Sequence, residues 1–393
     1  MIAAGTQWWT KFTGRGERLA LPVMVLDPSD RDAVLEQLDS ERKVRMRFEG
    51  SQDRPVTYDI MQVSSGQVPE KVVHKVSAKN SATITASYHE AGGEEWAKEQ
   101  RFAWRPWQRS AIIETQNELH TPQKRTEIVS SGDTLWRQHV LDNYSWDSVS
   151  PITDGASHTT RTYESREKVS YDWHQAVVRP AIAPDKAPVR TGDTLSLRIP
   201  ELAVGIGTLS QRSFSADTKM SLSQDGKLLH EDDAAWGDYA VGAGEIELDL
   251  SVVRTENQHW DFSTRTDTSW TFDSQGTGED AETQPLLSID YDVPVGLDNT
   301  VRAGKKEKIG LSVSHPDGLD RPAKLREVKV WVSYDDGKSW EKVKARSAGK
   351  DDFSVKISHP RRADYVSLRV EATDKDGNSI TQTVVRAYGI TAR

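Results

Sequence analysis

At 393 residues the chain is long enough for two to four domains with cores of their own. Its net charge of −9 sets it against nucleic acid, whose binding depends on Lys and Arg neutralising phosphates. It has no cysteine, which excludes disulfides and thiolate zinc sites, and no apolar run of membrane-spanning length, so neither nucleic acid nor a membrane is an expected partner. Met1 to Trp9 has no basic start followed by an apolar core, so it does not read as a signal peptide. Thirteen Trp is a high number, and most are expected between packed sheets, with a minority as platforms for sugar or peptide.

The first fifty residues differ from the rest. Leu19 to Leu26 reads as a buried strand, and Asp27 or Ser29 can cap a helix carrying Ala33, Val34, Leu35 and Leu38 at helical spacing. Lys43 to Phe48 then alternates as a half-exposed strand does. This α/β unit is too small to bury its own faces and looks like the end of a domain whose beginning is missing. From Pro55 to about Pro180 the pattern is β, with strands expected at Val56–Ile60, Ala82–Tyr88, Ser110–Thr115, Thr126–Ser130 and Arg161–Tyr163. Glu90 to Gln100 reads as either a short helix or a wide loop. Residues 181–190, rich in Pro and Ala, read as a linker or a long crossing loop. Strands follow at Thr194–Ile199, Met220–Ser223, Glu247–Val253, Thr268–Phe272 and Leu286–Val293, with Asp225-Gly226 as a hairpin turn. The expected fold class is mainly β: tandem sandwich or immunoglobulin-like domains after a small α/β fragment. The expected divisions are 1–50, 51–185, 186–300 and 301–393.

Chemistry is sparse. Serine peptidase work needs a nucleophile, a His base and a carboxylate, and no Gly-x-Ser-x-Gly turn occurs; Gly207 to Ser210 and Gly276 to Gly278 lack a serine in place. Asp374-Lys-Asp376-Gly377-Asn378 fails as a calcium loop, because its sixth and twelfth positions are Ser379 and Val385. No cofactor or metal ligand set is expected. Ser333-x-Asp335-x-Gly337-x-Ser339-Trp340 matches the Asp-box turn of glycan-handling proteins, a structural hairpin in which Ser and Asp bond the turn and Trp340 packs beneath. Trp104, Arg105 and Trp107 form the best candidate binding surface, with an arginine able to stack on an indole.

Several stretches resemble one family. Val330 to Trp340 and Leu368 to Ile390 look like the C-terminal end of large secreted subtilisin-like serine peptidases of actinomycete type. Thr264 to Phe272 and Pro285 to Pro294 resemble the β-rich region that follows their catalytic domain. Ala3 to Thr6, Arg18 to Asp27 and the Val34-Leu35-x-x-Leu38 helix look like the end of their protease-associated domain. The resemblance implies a hydrolase family, a serine endopeptidase. Its Asp, His and Ser motifs lie on no stretch of this chain, so no catalytic residue carries over. The implied role is an accessory region that scaffolds a catalytic domain, limits substrate access or binds protein substrate, with that domain and the substrate as partners and a secreted parent. The rival expectation is a stand-alone extracellular module that binds glycan or protein.

Overall fold

Apolar residues at every second position turn nearly the whole chain into strands. In Gly244–Arg254, Ile246, Leu248, Leu250 and Val252 are buried while Glu245, Glu247 and Asp249 face water. The computed structural model describes residues 2–4, 24–26, 28–40, 47, 55–90, 96–113, 117–141, 156–183, 186–204, 208–210, 216–254, 261–275 and 278–391. Among these the fold is mainly β, arranged as tandem sandwiches, with an α-helix at Pro28–Ser40.

The first sandwich sets a four-stranded sheet against an eight-stranded one. The smaller runs Lys168–Trp173, Ser81–Tyr88, Gln123–Ser130, Val56–Asp59; its outer pairs are parallel and its central pair antiparallel. The larger is centred on Trp96–Trp104 and Leu135–Leu141 and ends in Val178–Arg179, Ala203–Val204 and Thr208–Ser210. Hydrogen bonding therefore runs across the 185/186 division.

The other two sandwiches share a nine-stranded sheet. Half of it (Lys227–Asp232, Ala216–Gln224, Gly244–Arg254, Arg265–Ser274) packs against Trp236–Ala240, Thr194–Arg198, Val189–Thr191 and Glu282–Thr283. The rest (Ser379–Thr391, Tyr365–Asp374, Leu325–Ser333, Glu341–Val343, with Thr300–Arg302 pairing parallel on the end of Ser379–Thr391) faces Ser288–Asp292, Lys306–Ser314, Asp352–Ser358 and Arg346–Ser347. The halves join where Arg265–Ser274 pairs antiparallel with Ser379–Thr391, from Arg265 opposite Val385 to Thr271 opposite Ser379. Each strand would otherwise end its own sheet with a row of unpaired backbone groups, and pairing satisfies both rows. Ser288–Asp292 pairs with Lys306–Ser314, so bonding also crosses the 300/301 division.

Several local expectations change. Residues 96–100 belong to the strand Trp96–Trp104 and are neither helix nor loop. Arg161 makes an isolated bridge to Trp136 and no strand. Residues 181–183 and 186–190 are packed into the body: Ala181, Ala183 and Arg190 are buried, and Ala181 N bonds Pro200 O at 3.3 Å. Of the eight Trp whose side chains are described, Trp136, Trp173 and Trp270 fill cores. Trp236, Trp331 and Trp340 are partly exposed, with Lys186, Lys342 and Arg369 over their rings at 4.7, 5.4 and 4.5 Å. A cation on an indole face covers it as packing would, so these Trp need no core. At the N-terminus Ile2–Ala4 pairs parallel with Met24–Leu26 and the helix follows. Of the strand expected at 43–48 only Arg47 lies within the described residues, outside any element.

One asparagine ties the first sandwich to the last. Asn299 is fully buried at φ +54°; its Nδ2 donates to Glu90 O and His174 O, and its Oδ1 accepts Ala176 N, all at 2.8 Å. Glu90 N bonds Leu297 O at 2.8 Å beside it, and Arg179 Nε bonds Ile289 O at 3.1 Å. Asn299→Ala strands two buried backbone groups, at His174 and Ala176, each costing about 1–3 kcal/mol, and the part-buried carbonyl of Glu90. The expected result in a calorimetric melt is an early transition for the first sandwich, separated from the rest.

Candidate functional site

Among the described residues the densest chemistry lies inside the first sandwich, on the faces its two sheets turn toward each other. Tyr88, Arg125 and Glu127 point inward from the four-stranded sheet; Glu99, Arg101 and Gln138 point inward from the eight-stranded one. Arg125 donates to Glu99 Oε1 at 2.7 Å, to Glu127 Oε1 at 3.0 Å through Nε, and to the Tyr88 hydroxyl at 2.6 Å. The Tyr88 hydroxyl in turn donates to Glu127 Oε1 at 2.5 Å. Arg101 is ion-paired with Asp59 and Glu127 and donates to Gln138 Oε1 at 2.5 Å. Gln138 Nε2 closes the set onto Glu99 at 3.0 Å and Tyr88 at 3.1 Å.

Electrostatics follow from burial and neighbours. Burial alone would raise the Glu127 carboxyl, but Arg101, Arg125 and the Tyr88 hydroxyl hold it at about 2. Burial, then Glu127 and Glu99, push the Tyr88 phenol well above its ordinary value, so it stays neutral. Burial raises Asp59 despite Arg101. Every one of these groups is engaged by another, and none is left to attack or to take a proton. Chemically the cluster is a clamp between two sheets. The sequence reading missed it because a period-two strand shows which residues share a face and not which face is buried. The available signal was Glu99-x-Arg101 and Arg125-x-Glu127, opposite charges two apart on two strands of one sandwich.

Two histidine–carboxylate pairs occur among the described residues. His89 Nε2 faces Asp172 at 3.2 Å while its Nδ1 faces Gly296 O at 3.1 Å, so a backbone carbonyl stands where a nucleophile would be. Ser87 bonds Asp172 and not the ring. His315 Nε2 meets Asp374 at 3.0 Å, and no described serine joins it. Asp374 is otherwise spent on its own turn, accepting Asp376 N and Asn378 N at 2.9 Å and Asn378 Nδ2 at 2.7 Å, which accounts for the Asp-Lys-Asp-Gly-Asn tip without a metal.

Of the expected binding surface, Trp107 stands 69 % exposed on the turn after Trp96–Trp104. Trp104 and Arg105 are half-buried, and Arg105 is ion-paired with Asp133, so the three do not form one platform.

The residues Ser333, Asp335, Gly337 and Trp340 converge on one turn. Ser333 Oγ accepts Gly337 N at 2.9 Å and donates to Asp335 Oδ1 at 2.7 Å; Asp335 accepts Ser339 N at 2.9 Å and Ser339 Oγ at 2.5 Å. The Ser339 and Ser333 bonds lower the Asp335 carboxyl to about 2. Arg386 holds the neighbouring Asp336 with two bonds of 3.0 and 2.9 Å. Gly337 sits at φ +84°, and a Cβ there would lie 3.2 Å from the Trp340 ring. Gly337→Ala is therefore expected to cost about 1–2 kcal/mol in denaturant titration.

No protein-family model and no curated protein matches this chain. Among solved structures it is similar to three N-terminal domains of the Highly Immunogenic Outer Capsid protein of bacteriophage RB49, at 8 % identity, covering 79 % of this chain and 100 % of that one, TM-score 0.20. It is similar to Escherichia coli alpha-2-macroglobulin activated by porcine elastase at 10 % identity, over 75 % of this chain and 32 % of that one, TM-score 0.18. A third is the chicken CNTN1 FN1–FN3 domains at 10 % identity, over 77 % of this chain and 98 % of that one, TM-score 0.14.

Proposed function

We propose that this chain is an accessory region of a secreted subtilisin-like serine peptidase, without a catalytic triad of its own. It would act as scaffold, substrate-access element or protein-binding surface. One observation carries the reading: three of the stretches with the family resemblance, far apart in sequence, fall in one hydrogen-bonded sheet, while Ser288–Asp292 lies in another sheet and the N-terminal stretches lie apart from both. Arg265–Ser274 pairs with Ser379–Thr391, that strand with Tyr365–Asp374, and that one with Leu325–Ser333, which enters the Ser333–Trp340 turn.

The purified chain should leave casein intact and take up no fluorophosphonate label. The genomic frame directly upstream should encode the family's Asp, His and Ser motifs. Casein cleavage stopped by a serine-directed inhibitor overturns the proposal, as does an upstream region lacking those motifs.

A second reading, a stand-alone extracellular module for glycan or protein, is favoured by the exposure of Trp107. Under it, glycan-array signal should appear and vanish in Trp107→Ala; under the first it should be absent from both.

A further inference from the structure

Two apolar surfaces of this chain carry opposite charge and stand open to solvent. The first is on the helix Pro28–Ser40, where Leu35 is 50 % and Leu38 46 % exposed, one turn apart. Asp32 and Asp39 lie beside Leu35 at i−3 and i+4, the spacing of neighbours on a helix surface. Asp32 is ion-paired with Arg31 at 2.6 Å, and Glu36 and Asp39 have no cationic partner among the described residues.

The second surface is the irregular run between Val56–Asp59 and Ser81–Tyr88. It exposes Val72 by 66 % and Val73 by 60 %, with Val68 and Val76 also open. Lys71, Lys75 and Lys79 accompany these valines against the single Glu70, and none of the three has an ion-pair partner among the described residues. Open apolar side chains clustered along one segment mark an interaction surface. Here the charges name its partner, because the helix is acidic where the valine run is basic.

We propose that the helix docks through Leu35 and Leu38 onto the Val72–Val76 run of its own chain, with its carboxylates against Lys71 and Lys75. The fifteen residues between Ser40 and Val56 can reach about 50 Å when extended, so the tether permits the contact. A partner held on so short a tether is present at high effective concentration, which favours it over a second copy. Docking would hold the N-terminal α/β unit on the first sandwich and cover both surfaces at once. It goes beyond the proposed function and stands without it.

The chain has no cysteine, so Leu38→Cys with Val73→Cys introduces its only two thiols. Mild oxidation of the full-length chain should give a disulfide within the monomer, identified by mass spectrometry of the joined peptides. Its yield should fall in high salt and when Lys71→Glu and Lys75→Glu are added. A control pair, Leu38→Cys with Ser347→Cys on the last sandwich, should stay reduced. In the unmodified protein, amide exchange should show the helix and residues 68–76 protected together, and less so in high salt. An intrachain yield no greater than the control overturns the proposal, and so does a disulfide found only between chains.

Discussion

Replacing Arg125 with Met is expected to cost about 3–5 kcal/mol of unfolding free energy, the usual loss when one member of a buried ion pair is removed. Arg125 is buried, and its loss leaves Glu99 and Glu127 facing each other across the Tyr88 hydroxyl with Arg101 as the remaining cation. Glu99 is left buried without its cation, Glu127 keeps only Arg101, and the two sheets lose their clamp. The measurement is a urea titration, read as a fall in midpoint with the slope unchanged. Arg265→Met is the control. Its pair with Asp267 is solvent-exposed, and exposed pairs contribute about 0–1 kcal/mol. Adding Glu99→Leu to Arg125→Met should recover part of the loss, because the stranded charge goes with its partner. A drop below that of the exposed control would mean that the cluster does not hold the sandwich together.

The second large effect is with pH. Burial lowers His158 and His174 to about 4, offset in part by bonds to Thr159 O and to the Val140 backbone; burial alone lowers His359 to about 4. In the unfolded chain the same imidazoles titrate near their ordinary 6.5. Between those values the unfolded state binds protons that the folded state refuses, so stability falls as pH falls from 6.5 to 4. It is fully present above 6.5, and the decline from these groups stops below 4. At pH 4 the loss is about 3 kcal/mol for each of the enclosed imidazoles His158 and His174. Glu127, held at about 2, stays ionised in the folded state while its unfolded carboxyl takes up a proton near 4.5, so at the acid end of the window it adds to the fall in the same sense. His359→Phe should flatten the pH dependence by about one proton, since the new ring can keep the edge contacts with Tyr334 and Tyr388. Equilibrium unfolding at half-unit pH steps reads this directly. A curve flat from pH 7 to 4 would show that these imidazoles reach water.

How much was legible from residues alone differs between elements. Alternation located Ser81–Tyr88, Thr194–Arg198, Gly244–Arg254 and Ser288–Asp292 to within a few residues, and Asp225-Gly226 marked its hairpin. The Ser333–Trp340 turn was readable because every bond in it spans two to four residues. Trp96–Trp104 was not, because its charged centre, Lys98 to Arg101, matches neither an apolar run nor a polar-out strand until the facing sheet supplies partners. That Trp331 and Trp340 stand outside the packed cores was not readable for a related reason: the cations covering them come from Lys342 and Arg369, which only strand pairing brings alongside.

By itself the sequence determined strand positions, turn geometry, the lack of thiol chemistry and the absence of a nucleophile motif, since these depend on side-chain period and on contacts a few residues long. Tertiary structure alone decided that Glu99, Arg101, Arg125 and Glu127 meet in a core, that Arg265–Ser274 joins Ser379–Thr391 into one sheet, and that Asn299 fastens the first sandwich to the last. Those outcomes rest on groups 26 to 209 residues apart. A charge is tolerable in a protein interior only where the fold delivers its counter-charge, and no local pattern records that delivery.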